Sequence, residues 1–268
     1  RTNVDRAYRD AGVLDVVNAG GTLEQMINTL SGIPLEFSPG ERWNYSVATD
    51  VCGYLIEILS GKTLDVFLEE VIFQPLAMND TGFYVLQDKQ ERLATLYQFE
   101  ETGLPTAIDE SQLDDGTLAR DFTAKPTLCS GGGGLTSTMD DYMAFCKMIL
   151  GNGSYNGQRI VSRKTMELMG SNHLPNNADI DGCSLGSLFE TGYRGIGFGL
   201  GFSVLLNPAD SQVPGSTGEL AWGGAASTVF WVDREEDLAV VFLTQLLPSS
   251  SYNIGRELRT LVYSAFDD

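Results

Sequence analysis

The sequence predicts an α/β protein of the α+β type, in which an antiparallel sheet flanked by helices accompanies a mainly helical region. Two observations carry this prediction. Apolar residues recur at helical spacing in the first half of the chain, whereas the C-terminal part consists of short runs rich in Val, Phe and Leu. We therefore expect residues 1–195 to form the helical region, and residues 196–268 to form the sheet with its closing helix.

Three helices are predicted in the first part of the chain. Leu23–Leu30 is a short helical pattern, and a second helix begins at Thr49 or Asp50 and stops at Ser60-Gly61. A third covers residues 64–73 and is expected to end at Pro75, because proline lacks the backbone donor that a helix needs. The predicted core-facing residues of the second helix are Val51, Cys52, Leu55, Ile56 and Leu59.

The middle of the chain is less regular. Residues 87–125 are polar and weakly patterned, which is typical of loops and strand fragments, and residues 130–134 form a glycine-rich turn. Ser137 or Thr138 then caps a helix that continues through Ile149 and ends at Gly151. Residues 171–195 are expected to be loop.

Strands are predicted over residues 199–206, 219–222, 225–232 and 239–246, and a charged hairpin loop, residues 233–237, joins the last two. An apolar stripe between residues 254 and 266 predicts a closing helix over one face of the sheet. Neither part is expected to be self-sufficient, because these strands leave a sheet edge and a face open.

The charge excludes one class of partner. The chain has 36 acidic and 17 basic residues, a net charge of −19, and the acidic residues are spread along its length. Nucleic-acid binding needs clustered Lys and Arg, so it is not expected. No apolar run is long enough to span a membrane, and a soluble protein is expected, with the cytoplasm as the favoured compartment.

Metal and cofactor sites are not expected either. The only histidine is His173, which excludes a typical zinc site, and the cysteines are widely spaced with no C-x-x-C. Cys52 and Cys146 fall in helical apolar patterns and are expected to be buried free thiols. The remaining cysteines are Cys129 and Cys183.

One serine lies in a sequence that could be a nucleophile motif. Residues 182–186 match G-x-S-x-G, with Ser184 at the centre, but a polar loop precedes it and no helical pattern follows. A nucleophile elbow needs a sharp strand-to-helix turn, and its histidine comes after the serine, whereas His173 comes before. With one histidine, a Ser-His-Asp mechanism lacks its parts, and His173 is expected to be a solvated loop residue.

A serine can also be activated by lysine and tyrosine, with the serine and lysine one helical turn apart as S-x-x-K. This chain contains no such motif. The residues three positions before its five lysines are Leu59, Leu86, Phe122, Ala144 and Val161.

Several longer segments nevertheless occur together in a meaningful order. They are P-G-E-R-W-N-Y-S at residues 39–46, I-F-Q-P-L-A-M-N-D-T at 72–81, S-G-G-G-G-L-T-S-T at 130–138, and W-G-G-A at 222–225. In this order they resemble the class C β-lactamases and family VIII carboxylesterases over nearly the whole chain, from about residue 20 onward. The resemblance implies a β-lactamase/transpeptidase-like fold, whose S-x-x-K segment is expected to lie outside this chain, in an N-terminal piece.

The resemblance implies a role for Tyr45, which matches the tyrosine of the family's Tyr-x-Asn motif. Its phenol would take the proton of the attacking serine and pass it to the leaving group. A neighbouring lysine cation would favour the phenolate of a group whose pKa is ordinarily about 10. The alternative is that Tyr45 is an amphipathic core residue ahead of a helix.

The segment Trp222-Gly223-Gly224 matches the strand motif that is Lys-Thr-Gly in β-lactamases, and its glycines would let a substrate lie along the strand edge. The resemblance makes the backbone N–H of Ala225 an oxyanion-hole donor. The alternative is a bulge with a glycine pair beside a core tryptophan. Val47 stands where β-lactamases have asparagine, and with Trp222 it favours an uncharged, apolar acyl group.

The expected activity is therefore ester hydrolysis through an acyl-enzyme, with a small-molecule ester as substrate. The nucleophilic serine and its lysine would come from the second piece, so the chain alone is expected to be inactive. Two alternatives stay open. One is a β-lactamase or penicillin-binding D-Ala peptidase, and the other is a non-catalytic relative that binds a peptide or assembles with other chains.

Overall fold

The computed structural model describes residues 2–13, 21–99, 103–108, 121–184, 193–249 and 251–266. The chain divides into two compact units. Unit 1 contains Arg1–Ser38, Tyr45–Thr95 and Ala107–Asp141, and unit 2 contains Pro39–Asn44, Leu96–Thr106 and Tyr142–Asp268. The division at residues 195 and 196 stays a prediction.

Unit 1 is mainly helical, with two capped helices at its start. Both begin with a capping box, made by Thr2 with Asp5 and by Thr22 with Gln25. The second of these helices has the predicted bounds, and the next ends at Gly61, whose φ of 68° suits a glycine. The helices of unit 1 are α1 (Asn3–Asp10), α2 (Leu23–Leu30), α3 (Ala48–Ser60) and α4 (Leu64–Leu68), and a 3₁₀ turn follows at Gln87–Arg92.

The end of α4 differs from the prediction. The helical path does not stop before Pro75 but continues through a π turn, Glu69–Phe73, into Gln74–Leu76. Gln74 N–H donates to Glu69 O, five residues back, so the wider turn leads directly into the proline, which has no N–H to place. Ala77, with φ of 57°, then ends the segment.

The core of unit 1 lies between α2, α3 and α4. Its buried members are Val13, Leu23, Met26, Leu64, Phe83, Leu128 and Cys129. Gly53 is the contact point between helices, because a Cβ there would lie 2.9 Å from Leu64 Cδ2. Burial raises the pKa of the Cys129 thiol to about 11, so this thiol stays protonated.

Unit 2 is built around an antiparallel five-stranded sheet in the order β5-β6-β7-β8-β9. Asp233 pairs with Leu238 across the predicted charged hairpin loop, which confirms that turn. The strands are β5 (Ile196–Phe198), β6 (Ser203–Leu205), β7 (Leu220–Gly223), β8 (Val229–Asp233) and β9 (Leu238–Phe242).

The remaining strands of the described residues form two small sheets. A hairpin joins β3 (Ser154–Tyr155) to β4 (Gln158–Arg159), and the order of the other sheet is β10-β1-β2. Its members are β1 (Tyr97–Phe99), β2 (Pro105–Ala107) and β10 (Leu246–Leu247).

Three predicted strands need correction. The strand predicted over residues 239–246 ends at Phe242. Residues 199–206 are not one strand, because Gly199 N donates to Phe202 O at 2.8 Å and closes a turn between β5 and β6. Residue Ala225 was expected in a strand, but β8 begins only at Val229, and residues 224–227 form the turn from β7. The other α-helices of the described residues are α5 (Met139–Leu150), α6 (Arg163–Met169), α7 (Ile180–Cys183), α8 (Pro208–Ser211) and α9 (Ile254–Tyr263). The prediction that residues 171–195 are loop is therefore wrong in part, because α7 and a 3₁₀ turn, Pro175–Asn177, lie within them.

The closing helix α9 is joined to the sheet by buried polar contacts. The Tyr263 hydroxyl lies 2.7 Å from a carboxylate oxygen of both Glu219 and Asp233, and Arg259 forms an ion pair with Glu219. The Arg259 guanidinium also lies 4.7 Å from the ring centroid of Trp231, which is buried. Burial raises the pKa of Glu219, whereas hydrogen bonds from Tyr263 and Ser216 outweigh burial and hold the pKa of Asp233 low.

The prediction that Cys52 and Cys146 are buried free thiols is correct only in part. Cys146 is buried in α5, and burial raises its pKa to about 12. Cys52 is exposed, so the prediction that its thiol is buried is wrong. No helix within the described residues is both long enough and apolar enough to cross a membrane.

Candidate active site

Tyr45 lies immediately before α3, and its side chain is 47% exposed. The two residues that follow anchor the backbone. Ser46 Oγ accepts a hydrogen bond from Ala48 N at 3.2 Å, and the Val47 side chain packs against the core of unit 1. The contacts of Ser46 and Val47 therefore hold this backbone segment in place, and the segment bears the exposed phenol of Tyr45.

The glycine-rich turn packs directly against the first turn of α3. A Cβ at Gly131 would lie 2.3 Å from Thr49 O, so only glycine allows this approach. Beside it, Ser130 Oγ donates to Asp50 Oδ1 at 2.6 Å, and both side chains are buried. The turn therefore holds the helix end next to Tyr45, and a carboxylate in the first turn also suits the helix dipole.

The segment 222–225 forms the end of β7 and the start of a tight hairpin. Trp222 pairs with Phe230 across the ladder, and Gly223 pairs with Val229. Gly224 N donates to Thr228 O at 2.9 Å, Ser227 N donates to Gly224 O at 3.1 Å, and Ser227 has a φ of 67°. This is the pattern of a three-residue hairpin loop with a left-handed residue at its end.

Ala225 occupies the first corner of that loop and is exposed. Within the described part of the chain its N–H donates to no acceptor. A backbone N–H at this corner points away from the ladder, so it is available to a ligand or to water. A backbone N–H can act as an oxyanion-hole donor only if it is available to a ligand in this way.

Three aromatic rings follow one another from β7 to the segment before Tyr45. Trp222 and Phe198 are edge-to-face with centroids 5.3 Å apart, and Phe198 and Trp43 are edge-to-face at 5.7 Å. All three belong to unit 2 and are half-buried. They form an apolar surface of the kind that accommodates a hydrocarbon group.

The Asn172 side chain holds Phe198 and the following loop in place. Asn172 Oδ1 accepts from Phe198 N at 3.1 Å and Leu174 N at 3.2 Å, and Nδ2 donates to Asn177 Oδ1 and Ala178 O. All four hydrogen-bonding positions of this amide are used. Asn172 could not be recognised from the sequence, because asparagine is common in loops and nothing local distinguishes it.

The serine of the G-x-S-x-G motif is not in a nucleophile elbow. A one-turn helix, α7, precedes Ser184 where an elbow needs a strand, and residues 185 and 186 lie outside the described residues. Ser184 instead forms a bridge with Trp43, whose N–H donates to Cys183 O at 3.0 Å. His173 is exposed, and its Nε2 lies 2.8 Å from Leu168 O.

The predicted site residues divide between the units. Tyr45 and Val47 belong to unit 1, and Trp222, Gly223, Gly224 and Ala225 belong to unit 2. Their catalytic and substrate-binding roles stay predictions. Among the described residues, no group of three His, Cys, Asp or Glu side chains could hold a metal ion.

Residues 3–264 match the model of the protein family described as Beta-lactamase. The chain is 35% identical to protein Rv1367c of Mycobacterium tuberculosis over 225 residues, which is 83% of this chain and 53% of that protein. It is 29% identical to esterase EstB of Burkholderia gladioli over 230 residues, 83% of this chain and 54% of the esterase. The chain thus spans about half the length of these relatives.

Solved structures agree in fold. One is described as EstCE1, a hydrolase with promiscuous acyltransferase activity, and has a TM-score of 0.76 at 28% identity, covering 96% of this chain and 66% of that one. The simvastatin synthase LovD of Aspergillus terreus has a TM-score of 0.74 at 22% identity, covering 98% and 64%, and supports the fold alone.

Proposed function

This chain belongs to the Beta-lactamase family and has its mixed α/β fold, and from this we propose that it is part of a carboxylesterase that cleaves short-chain esters. The proteins similar to this chain include an esterase and an acyltransferase. In this proposal the nucleophilic serine and its lysine come from a segment outside the 268 residues, and the chain by itself is inactive.

The proposed reaction is acyl transfer through a covalent intermediate. The serine hydroxyl attacks the ester carbonyl while Tyr45, as general base, accepts its proton. The resulting oxyanion is held by Ala225 N–H and by the N–H of the serine itself. The intermediate collapses, the alcohol leaves with the proton from Tyr45, and water then releases the acid by the same steps in reverse order.

The observation that carries the proposal is the position of Tyr45. A phenol that served only as core would be buried, whereas this one is exposed at a helix end held by a close glycine contact. General bases need such fixed placement, because misplacement by about 1 Å can cost on the order of 100-fold in rate. The N–H of Ala225 donates to no acceptor within the described residues, which supports its proposed role as an oxyanion donor.

The apolar surface formed by Trp43, Phe198 and Trp222 supports an uncharged acyl group as substrate. A β-lactam carboxylate would need a cation, and Trp222 occupies the position of the family's lysine. Val47 has no polar group to offer a substrate amide and packs against the core. Short-chain esters suit these side chains better than β-lactams do.

The test compares two tyrosines of equal exposure. The chain is combined with a segment that supplies S-x-x-K, and hydrolysis of p-nitrophenyl butyrate is followed. We expect Tyr45→Phe to lower kcat by about 10²–10⁴-fold, because the general base is lost. Tyr252, which is also 47% exposed, provides the control, and Tyr252→Phe should leave kcat unchanged. If both variants keep the parent kcat, Tyr45 is not the base.

Acyl transfer to an alcohol is the second candidate function. It is favoured by the structural similarity to EstCE1, described as a hydrolase with promiscuous acyltransferase activity. In this case the acyl-enzyme reacts with an alcohol in place of water. Adding an alcohol acceptor to the same assay should then divert product from acid to ester, whereas a strict hydrolase yields only acid.

A further inference from the structure

One phenol lies between two buried carboxyl groups where helix α9 meets the sheet of unit 2. Tyr263 Oη is 2.7 Å from Glu219 Oε2 and 2.7 Å from Asp233 Oδ2. Glu219 is 3% exposed, and Asp233 is fully buried. Arg259, one turn before Tyr263, pairs with the other oxygen of Glu219, Oε1. We call these four side chains the carboxyl cluster.

The two contacts of the phenol need more hydrogen atoms than the phenol has. A separation of 2.7 Å between two oxygens is the usual length of an O–H···O hydrogen bond. Tyr263 has a single hydroxyl hydrogen, and an ionised carboxylate is an acceptor only. If both carboxyl groups were ionised, one of the two contacts would therefore have no hydrogen between its oxygens. A second hydrogen, on one of the carboxyl groups, completes both bonds.

The charges of the carboxyl cluster lead to the same conclusion. With both carboxyl groups ionised, Arg259 would neutralise one of them and leave the other unpaired, because the described residues bring no second cation within ion-pair distance. An unpaired charge in the protein interior is strongly unfavourable, and a buried group in that position takes up a proton instead. One additional proton leaves the cluster with one carboxylate and one guanidinium, whose charges balance.

The contacts of Asp233 identify it as the ionised member of the cluster. Its Oδ1 accepts from Glu235 N at 3.1 Å and from Glu236 N at 3.3 Å, and its Oδ2 accepts from Ser216 N at 3.0 Å. Backbone N–H groups stabilise the charged form of a carboxyl group. Although burial acts in the opposite direction, hydrogen bonds from Tyr263 and Ser216 hold the pKa of Asp233 below its usual value.

Glu219 has no such backbone contacts. Within the described residues its carboxyl group accepts from no backbone N–H, and its hydrogen-bond partners are the Arg259 guanidinium and the Tyr263 phenol. Burial outweighs the attraction of Arg259 and raises the pKa of Glu219. Of the two carboxyl groups, Glu219 is therefore the one that suits the additional hydrogen.

We propose that the folded chain holds a proton on Glu219 Oε2 at neutral pH. This carboxyl group donates to Tyr263 Oη, the phenol donates to Asp233 Oδ2, and Arg259 donates to Glu219 Oε1. The proton thus fastens α9 to the sheet, and its release leaves an unpaired negative charge between them. Its contribution to stability is complete below the ordinary pKa of a glutamate, about 4.3, and is lost as the pH rises through the raised pKa of the folded chain.

The test follows urea unfolding of the chain at several values of pH between about 5.5 and 7. A proton that only the folded chain holds makes the equilibrium constant of unfolding rise by about tenfold per pH unit. Glu219→Gln abolishes this proton but keeps its contacts, because the amide N–H₂ donates to Tyr263 and the amide oxygen accepts from Arg259. Over this range we expect the constant of the parent to rise about thirtyfold more than that of Glu219→Gln. At about pH 7 the variant should be at least as stable as the parent.

Two other variants complete the experiment. Glu167→Gln is the matched control, because Glu167 pairs with Arg163 and Lys164, and the hydrogen bond from Lys164 lowers its pKa, so that it is ionised in both states. Its pH dependence should equal that of the parent. Asp233→Asn places an amide N–H₂ against backbone N–H groups whichever way the amide is turned, and it should raise the unfolding constant at about pH 7 by about thirtyfold.

Infrared spectroscopy detects the proton directly, as the C=O stretching band of a protonated carboxyl group. The band should be present in the folded parent at neutral pH and absent from Glu219→Gln. The proposal is overturned if the parent has no such band, if Glu219→Gln keeps the pH dependence of the parent, or if Glu219→Gln is destabilised as strongly as Asp233→Asn. The last of these results would mean that both carboxyl groups are ionised.

Discussion

The contact between the glycine-rich turn and α3 predicts a large effect from a single methyl group. In Gly131→Ala the new Cβ would lie 2.3 Å from Thr49 O and 3.0 Å from its carbonyl carbon. Both atoms are backbone, so no side-chain rotation relieves the clash, and the turn or the helix end must move. We expect the free energy of unfolding to fall by about 2–3 kcal/mol, the upper part of the range for overpacked sites.

The same turn offers its own control. A Cβ at Gly133 would meet nothing within 4 Å, and its φ is not in the left-handed region. We expect Gly133→Ala to change stability by less than about 1 kcal/mol, with a gain if the unfolded chain loses freedom. Thermal and urea unfolding, followed by circular dichroism, should separate the variants by roughly 5–10 °C in Tm.

The kcat of the assembled enzyme provides a second measure of the effect of Gly131→Ala. A displaced first turn of α3 moves Tyr45, which lies three residues before Ala48, so kcat of the assembled enzyme should fall more in Gly131→Ala than in Gly133→Ala. Equal stabilities of the two variants would show that the glycine turn does not hold the helix end. The glycine-rich turn would then not be what positions Tyr45.

Two further predictions concern unit 2. Burial, followed by hydrogen bonds to two carboxylates, raises the pKa of Tyr263, so the folded chain keeps a proton that the unfolded phenol loses. This contribution to stability is complete below about pH 10 and is lost as the pH rises above it. Tyr263→Phe should therefore flatten the alkaline fall in the free energy of unfolding. Asn172→Ala removes four hydrogen bonds and should cost about 2–3 kcal/mol, with faster proteolysis of residues 174–178, whereas the exposed Asn44→Ala should have little effect.

Local signals in the sequence predicted several elements correctly. The bounds of α2, the end of α3 at Gly61 and the charged turn after Asp233 each depend on a few neighbouring residues, through capping, left-handed glycine and turn chemistry. The family was also identified from linear segments, including residues 39–46 and 222–225. Tyr45 and Ala225 became candidates in this way, because a motif keeps its order along the chain.

Other parts of the candidate site depend on residues far apart in sequence. The bond from Ser130 to Asp50 joins positions 80 residues apart, and Phe198 is held by Asn172 from 26 residues away. Neither pair has a local pattern that distinguishes it from ordinary loop and helix residues. The turn at Ala225 was likewise missed, because a run of small residues permits both a strand and a hairpin loop.

The sequence by itself determined that α3 is a helix, but the prediction that Cys52, Leu55 and Leu59 face the core is wrong, because all three are exposed. Only the tertiary structure decided which side of that helix is buried. The side containing Gly53 lies against the core because glycine allows Leu64 to approach, whereas the side containing Leu59 is left in solvent. The physical reason is that helical periodicity is a property of consecutive residues, whereas burial depends on what other segments bring into contact with them.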